Sequence, residues 1–116
     1  MKKLLLSYLT ITLISTSCST LKSTTYIKAN EAFVLGNNKH GEFHVKLKNA
    51  SSNILELWEA PIDGGRHSQL IIKPNETIKV KVEKNTALRI NNNNTKEAKI
   101  ELFVKGDTGL SMGYKN

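Results

Sequence analysis

The chain has 116 residues, enough for one small domain, and a single cysteine, which excludes an intramolecular disulfide. Its formal net charge is +7, from fifteen lysines and two arginines against ten acidic residues. Asparagine and isoleucine are also abundant, and this bias is typical of an A/T-rich genome. The charge does not by itself indicate a nucleic-acid partner, because that function requires basic residues clustered on one surface.

The first seventeen residues have the layout of a secretory signal peptide. Lys2 and Lys3 precede an apolar stretch from Leu4 to Ile14, and small residues follow. At 1.5 Å per residue this stretch reaches about 16 Å, well short of the ~30 Å hydrocarbon core of a bilayer. We therefore expect a leader that is removed on export, and an exported chain has no nucleic-acid partner inside the cell.

The segment Ser15-Thr16-Ser17-Cys18 resembles the lipobox of bacterial lipoproteins. In that family the cysteine sulfur receives a diacylglyceryl group, cleavage occurs just before the cysteine, and the new amino group is usually acylated. The resemblance implies cleavage between Ser17 and Cys18, with Cys18 as the lipid attachment site. Two or three acyl chains make a lasting membrane anchor. The family prefers Leu, Val or Ile three residues before the cysteine, where this chain has Ser15 with an isoleucine one place further out.

The residues after Cys18 indicate how the domain is attached. In the lipoprotein family an aspartate at the next position favours the inner membrane, so Ser19 favours the outer membrane of a host that has two. Residues 19–30 read STLKSTTYIKAN, a polar run that is typical of a flexible tether. We predict a signal peptide over residues 1–17, a lipidated tether over 18–30 and a globular domain over 31–116. An unmodified thiol beside an ordinary signal peptide is the alternative.

Within residues 31–116 apolar residues recur at every second position, which predicts half-buried strands. The clearest strands are Phe43 to Lys48, Ile78 to Glu83 and Ile100 to Lys105, and weaker strands are predicted at Ala32 to Leu35, Ile54 to Trp58, Gln69 to Lys73 and Leu88 to Asn91. Turn-forming residues separate them, and no segment has a helical period. The sequence therefore predicts an all-β domain, a small antiparallel β-sandwich of about seven strands, with a small barrel as the alternative.

The same alternation assigns a set of apolar side chains to the core. These are Phe33, Leu35, Phe43, Val45, Leu47, Leu55, Leu57, Leu70, Ile72, Ile78, Val80, Val82, Leu88, Ile90, Ile100, Leu102 and Val104. Their burial is expected to let a domain of this size fold alone.

Two fragments near the end of the chain resemble catalytic motifs. The D-T-G of aspartic proteases occurs at Asp107, and the G-x-S-x-G of serine hydrolases occurs around Ser111. A nucleophile elbow is followed by its acid and histidine partners, and the protease loop by further strands and a helix, whereas few residues follow either fragment here. Asp63 and His67 supply the residue types for a triad with Ser111 in another chain order. We interpret the tail as a turn closing a final hairpin and expect no enzyme; a small envelope hydrolase that uses Ser111 or Asp107 is the alternative.

Residue types that bind metals are sparse. His40 and His44 are four residues apart, which on one strand is about 13 Å, too far to hold one ion. No second cysteine and no close pair of carboxylates accompanies them or His67. The sequence predicts neither a metal site nor a cofactor.

Two aromatic residues indicate a binding surface. Trp58 alternates away from Leu55 and Leu57, and Phe103 alternates away from Ile100. If both point to solvent, they form an exposed aromatic patch of the kind that marks an interface. Coverage of these strands on both faces, or a local bulge, is the alternative.

These observations favour a non-catalytic accessory or binding module that is lipid-anchored at a bacterial cell envelope. The membrane is its first partner, and another envelope protein or a glycan is the second. Besides the hydrolase, one further alternative is an inhibitor or immunity-type lipoprotein, whose loop from Pro61 to Ser68 fills the cleft of an attacking enzyme.

Overall fold

The computed structural model describes residues 20–115, which form nine strands. They are β1 (Thr20–Ile27), β2 (Glu31–Leu35), β3 (Phe43–Asn49), β4 (Leu55–Pro61), β5 (His67–Ile72), β6 (Thr77–Val82), β7 (Thr86–Asn92), β8 (Ala98–Gly106) and β9 (Met112–Lys115). Across these residues there is no helix with the length and apolar character needed to cross a bilayer. Ser17 and Cys18, with the rest of the leader, lie outside the described residues.

The nine strands form two antiparallel sheets that pack face to face. The four-stranded sheet has the order β1-β8-β3-β6, and the five-stranded sheet has the order β5-β4-β7-β2-β9. Neither sheet closes on itself, so the β-sandwich prediction is confirmed and the barrel alternative is wrong. All seven predicted strands are present, and β1 and β9 are additional.

Strand β1 replaces most of the expected tether. Residues 20–27 pair with β8 along their whole length, from Thr20 opposite Lys105 to Ile27 opposite Ala98. The inner face of β1 carries Thr25 and Ile27, which are both buried. β-Branched residues favour strands, and the Ser/Thr-rich composition concealed this pairing. The prediction of a flexible tether is therefore wrong for residues 20–27, and the sandwich begins at Thr20.

The C-terminal tail crosses between the sheets. Residues 107–111 leave β8 in the four-stranded sheet and lead into β9, which pairs with β2 in the five-stranded sheet. The predicted hairpin turn is therefore wrong. Gly106 begins the crossing with φ of 105°, and a Cβ there would lie 2.9 Å from the backbone oxygen of Glu42, so this position requires glycine. The Gly36 N–H donates to the Ser111 carbonyl at 2.7 Å and holds the crossing in place.

The core lies between the two sheets. Of the seventeen side chains predicted to be buried, fifteen are buried, Ile78 is partly buried against them, and Leu70 is 44% exposed. Leu70 lies on the edge strand β5, of which only Ile72 is buried. Ile27 and Ala98, from β1 and β8, join the core without having been predicted.

Two buried asparagines link the sheets at one end of the sandwich. The Asn92 side chain, on β7, donates from Nδ2 to the carbonyl oxygens of Ile27 at 3.0 Å and Lys96 at 2.8 Å. The Asn49 side chain, on β3, donates from Nδ2 to the carbonyl oxygen of Ile72 on β5 at 3.1 Å. Both amides are fully buried, and each connects a strand of one sheet with a strand of the other. The contacts with the Ile27 and Ile72 carbonyl groups are buried, whereas the Lys96 carbonyl also accepts a hydrogen bond from Asn53 Nδ2 at 2.8 Å.

The Asn92 amide is expected to contribute strongly to stability. Asn92→Ala removes the amide that donates to the buried Ile27 carbonyl, and we expect the free energy of unfolding to fall by about 2 kcal/mol. Denaturant unfolding followed through the fluorescence of Trp58, the only tryptophan, measures this change. The exposed neighbour Asn93 is the control, and Asn93→Ala is expected to change stability by less than about 0.5 kcal/mol. Equal losses in the two variants would contradict a linking role for Asn92.

Candidate functional site

The outer face of the four-stranded sheet is rich in lysine, and we call it the lysine face. Because side chains alternate along a strand, the residues between the core positions of β1, β8, β3 and β6 all point outward on this side. They include seven lysines and one glutamate around a phenylalanine: Lys22, Lys46, Lys48, Lys79, Lys81, Lys99, Lys105, Glu101 and Phe103. The strand order brings them onto a single surface.

Phe103 lies near the centre of the lysine face. It is directly opposite Lys22 on β1 and Lys46 on β3, and Lys46 is in turn opposite Lys79 on β6. The Nζ atoms of Lys22 and Lys105 each lie 5.5 Å from the centroid of its ring, within cation–π range. The aromatic ring thus holds two ammonium groups over the sheet, and it is half-buried.

Two open grooves flank Phe103, with volumes of about 630 and 430 Å³. The first is lined by Lys22, Lys46, Lys48 and Glu101, and the second by His44, Lys79, Lys81 and Lys105. Neighbouring strands are about 4.8 Å apart and alternate residues about 6.7 Å apart, so the ammonium groups form a grid of positive charge. Such a grid is suited to anionic groups that repeat along a surface or a polymer.

One end of the lysine face carries acidic neighbours. Lys81 Nζ lies 3.2 Å from Glu42 and 4.0 Å from Glu83. The hydrogen bond and charge of Glu42, and then the charge of Glu83, raise the pKa of Lys81. Among residues 20–115 these are the only acids within 4 Å of a lysine or arginine side-chain nitrogen. Within residues 20–115, the other lysines of the face have no carboxylate within 4 Å, although Glu101 is directly opposite Lys48 in the sheet, and they are available to a ligand.

Trp58 lies on the opposite side of the molecule, on the outer face of the five-stranded sheet. Its indole Nε1 donates to Glu56 Oε1 at 2.8 Å, and Asn91 donates to the same oxygen at 3.0 Å. Gln69 donates to Glu56 Oε2 at 2.7 Å, and Arg89 donates to the Asn91 side chain at 2.9 Å. Hydrogen bonds from Trp58 and then Asn91 lower the pKa of Glu56. The indole is therefore fixed by its own neighbours.

The structure separates the two predicted aromatic residues. Trp58 belongs to β4 and Phe103 to β8, and these strands lie in different sheets whose inner faces meet at the core. The two side chains therefore cannot form one patch. A bulge is present beside Trp58, in the pairing of β4 with β5, but Trp58 stays in register with Arg89 on β7 and keeps its outward position.

The catalytic candidates are not assembled. His67 is on β5 and Ser111 directly precedes β9, and these are opposite edges of the five-stranded sheet, four interstrand steps or about 19 Å apart. Asp107 accepts backbone hydrogen bonds from Gly41 at 2.6 Å and Gly109 at 2.8 Å, and these two bonds lower its pKa. Its carboxylate thus secures the crossing between the sheets.

The histidines have separate environments. His40 is buried, with Nε2 at 2.9 Å from the Thr86 oxygen and Nδ1 at 2.6 Å from the Gly41 oxygen. His44 is on the lysine face, and His67 contacts a serine hydroxyl on an exposed edge. Within residues 20–115 no three His, Cys, Asp or Glu side chains are close enough to hold a metal ion. The loop from Pro61 to Ser68 is the β4–β5 hairpin, and all its residues from 62 onward are exposed.

No protein-family model matches the chain, and no curated protein matches it. Among solved structures it is similar to procruciferin, an 11S globulin from Brassica napus, with a TM-score of 0.51 and 10% identity over 92% of this chain. The chain spans 25% of procruciferin. The Yersinia pseudotuberculosis-derived mitogen has a TM-score of 0.47 and 18% identity over 80% of this chain and 94% of its own. The capsular polysaccharide assembling protein CapF from Staphylococcus aureus has a TM-score of 0.43 and 11% identity over 76% of this chain and 22% of its own. At these identities the likeness concerns the fold alone.

The Glu56 cluster is expected to stabilise the fold in a pH-dependent way. Folding lowers the pKa of the Glu56 carboxyl group. The stabilisation that its charge provides is therefore complete above the ordinary glutamate pKa, and it is lost as the pH falls through the lower pKa of the folded state. At pH 7, Glu56→Gln is expected to reduce the free energy of unfolding by about 1 kcal/mol, and this difference should shrink below about pH 4. Denaturant unfolding across pH measures it. Glu97→Gln, at an exposed loop position, is the control, and a difference for Glu56→Gln that persists in acid would contradict the role of its charge.

Proposed function

We propose that the chain is a non-catalytic binding module, held at a bacterial cell envelope through a lipid on Cys18, that binds an anionic envelope partner with its lysine face. The observation that carries this proposal is the presence of seven lysines and one glutamate around Phe103 on four adjacent strands. The partner is an acidic glycan, an acidic protein or another anionic surface of the envelope, and the outer membrane is the membrane that Ser19 favours.

The distribution of charge supports a binding role for this face. Residues 20–115 contain fifteen lysines and arginines and ten acidic residues. Seven of these cationic residues and one of these acidic residues belong to the lysine face. Glu42 and Glu83 adjoin the face at Lys81, and the other described residues include eight cationic and seven acidic side chains. A codon bias toward lysine would spread lysines over the whole surface and would not concentrate them on one face. The concentration of positive charge on this face is therefore better explained by an anionic partner.

The positions of the catalytic candidates support the non-catalytic part of the proposal. Nucleophilic catalysis needs a base within hydrogen-bond reach of the nucleophile. His67 and Ser111 are at opposite edges of one sheet, and both carboxylate oxygens of Asp107 accept backbone hydrogen bonds. A rigid sandwich that presents a charged outer face is suited to binding.

Binding of a soluble polyanion tests the use of the lysine face. We expect polygalacturonate to bind the chain, and the triple variant K22Q/K46Q/K79Q to bind about tenfold more weakly, because each exposed ion pair contributes about 0.5 kcal/mol. Raised salt should weaken binding further. The control K39Q/K73Q/K96Q has the same net charge but removes lysines from loops. Calorimetric titration measures both, and equal weakening in the two variants would refute a binding role for this face.

Mass spectrometry tests the anchor. We expect the protein extracted from membranes to begin at Cys18 and to carry the mass of a diacylglyceryl group with an additional acyl chain. Cys18→Ala removes the sulfur that takes the lipid, so this variant should keep its leader and lack the added mass. An unmodified sulfur in the wild-type protein, or leader residues retained before Cys18, would refute the anchor while leaving the binding proposal open to its own test.

A further inference from the structure

The strand that begins the sandwich is also an edge of the lysine face. β1 starts at Thr20, only two residues after Cys18. At no more than about 3.6 Å per residue, the Cα atoms of these two residues are within about 7 Å of each other. A lipid on Cys18 therefore places this end of the four-stranded sheet at the membrane surface, within the ~8 Å Debye length at physiological salt.

The lysines are concentrated at the end of the sheet that is closest to Cys18. The cross-strand row that contains Thr20 includes Lys105, His44 and Lys81, and the next row includes Lys22, Phe103, Lys46 and Lys79. These two rows hold five of the seven lysines of the face. Glu42 and Glu83 are paired with Lys81, whereas the other four lysines have no acidic partner within 4 Å among residues 20–115.

We propose, building on the proposed function, that the anionic partner of the lysine face is the phospholipid surface that holds the anchor, and that this face lies flat against negatively charged headgroups. Charge complementarity and the short chain to Cys18 both favour this partner over a distant polymer. Each lysine near such a surface strengthens binding, and the exposed Tyr26 on the same side is an aromatic residue of the kind that lies at headgroup level.

Docking through the lysine face also determines which side of the molecule faces away from the membrane. With the lysine face on the headgroups, the five-stranded sheet is about 10 Å further from the membrane than the four-stranded sheet. Trp58 and the residues hydrogen-bonded around Glu56 then face the aqueous side. The lipid and the lysine face then act together, because the anchor raises the effective concentration of the face at the surface.

Tryptophan quenching measures this orientation in the anchored protein. The lipidated chain is reconstituted in phosphatidylcholine vesicles with and without phosphatidylglycerol, with a spin label on a fraction of the headgroups. Native Trp58 reports the outer sheet, and W58F/F103W moves the only indole to the lysine face. We expect the indole at position 103 to be quenched at least twofold more in anionic than in neutral vesicles, and salt to reverse this. Native Trp58 should be quenched little in either.

Vesicle binding without the lipid measures the affinity of the face. The full-length Cys18→Ala chain is floated with the same vesicles, and neutral vesicles report the contribution of the leader, which all variants share. We expect K22Q/K46Q/K79Q to weaken binding to anionic vesicles about a hundredfold, since each lysine near the surface contributes about fivefold. The control K39Q/K73Q/K96Q should bind nearly as well as the parent chain.

The outcomes separate this inference from the proposed function. Preferential quenching at position 103 in anionic vesicles, together with loss of binding only in the lysine-face variant, supports membrane docking. Equal quenching of both indoles, or equal losses in the two triple variants, overturns it. If polygalacturonate binds through the lysine face but anionic vesicles do not bind, membrane docking is overturned and the proposed function stands. If neither ligand binds, both fail.

Discussion

The two-residue alternation of side chains in the four-stranded sheet determines both the core and the lysine face. In β3, Phe43, Val45 and Leu47 are buried, and they alternate with His44, Lys46 and Lys48, which are all exposed. A shift of one residue in the pairing of β3 would place these cationic side chains in the core, where unpaired charge is very costly. The apolar residues therefore fix the register, and the register fixes where the charges lie.

The local sequence pattern was sufficient to predict the strands in which apolar and polar residues alternate. It was insufficient to predict β1 and β9, which depend on pairing with strands far away in the chain. The inner residues of β1 include Ser23 and Thr25, so its alternation is not an apolar one, and its pairing with β8 supplies the stabilisation. β9 has only four residues, all exposed, and is held by β2, where Tyr114 packs against Phe33 with ring centroids 5.6 Å apart. Neither interaction leaves a periodic signal in the sequence near the strand itself.

The candidate site shows the same division between local and non-local information. Alternation alone predicts that Phe103 and its neighbouring lysines point away from the core. The order β1-β8-β3-β6 then decides that Lys22, Lys46 and Lys79 share one surface, and this order is set by pairings between residues far apart in the chain. For the same reason, the sequence could not reveal that Trp58 and Phe103 belong to different sheets. Net charge counted over the whole chain likewise conceals how the charge is distributed over the fold.

Repulsion between the lysines of the lysine face lowers the stability of the isolated domain, and this is informative about the function of the face. Lys46 and Lys79 are directly opposite each other across neighbouring strands, and like charges in such pairs are destabilising. Nothing in the core needs them, because Val45 and Val80 fill the inner side of the same strands, and the sheets are linked by the buried amides of Asn49 and Asn92. Polar residues without charge would satisfy the fold equally well at these outward positions. An anionic surface against the sheet relieves the repulsion between the lysines, so the arrangement that is least favourable for the isolated domain becomes favourable in the docked one.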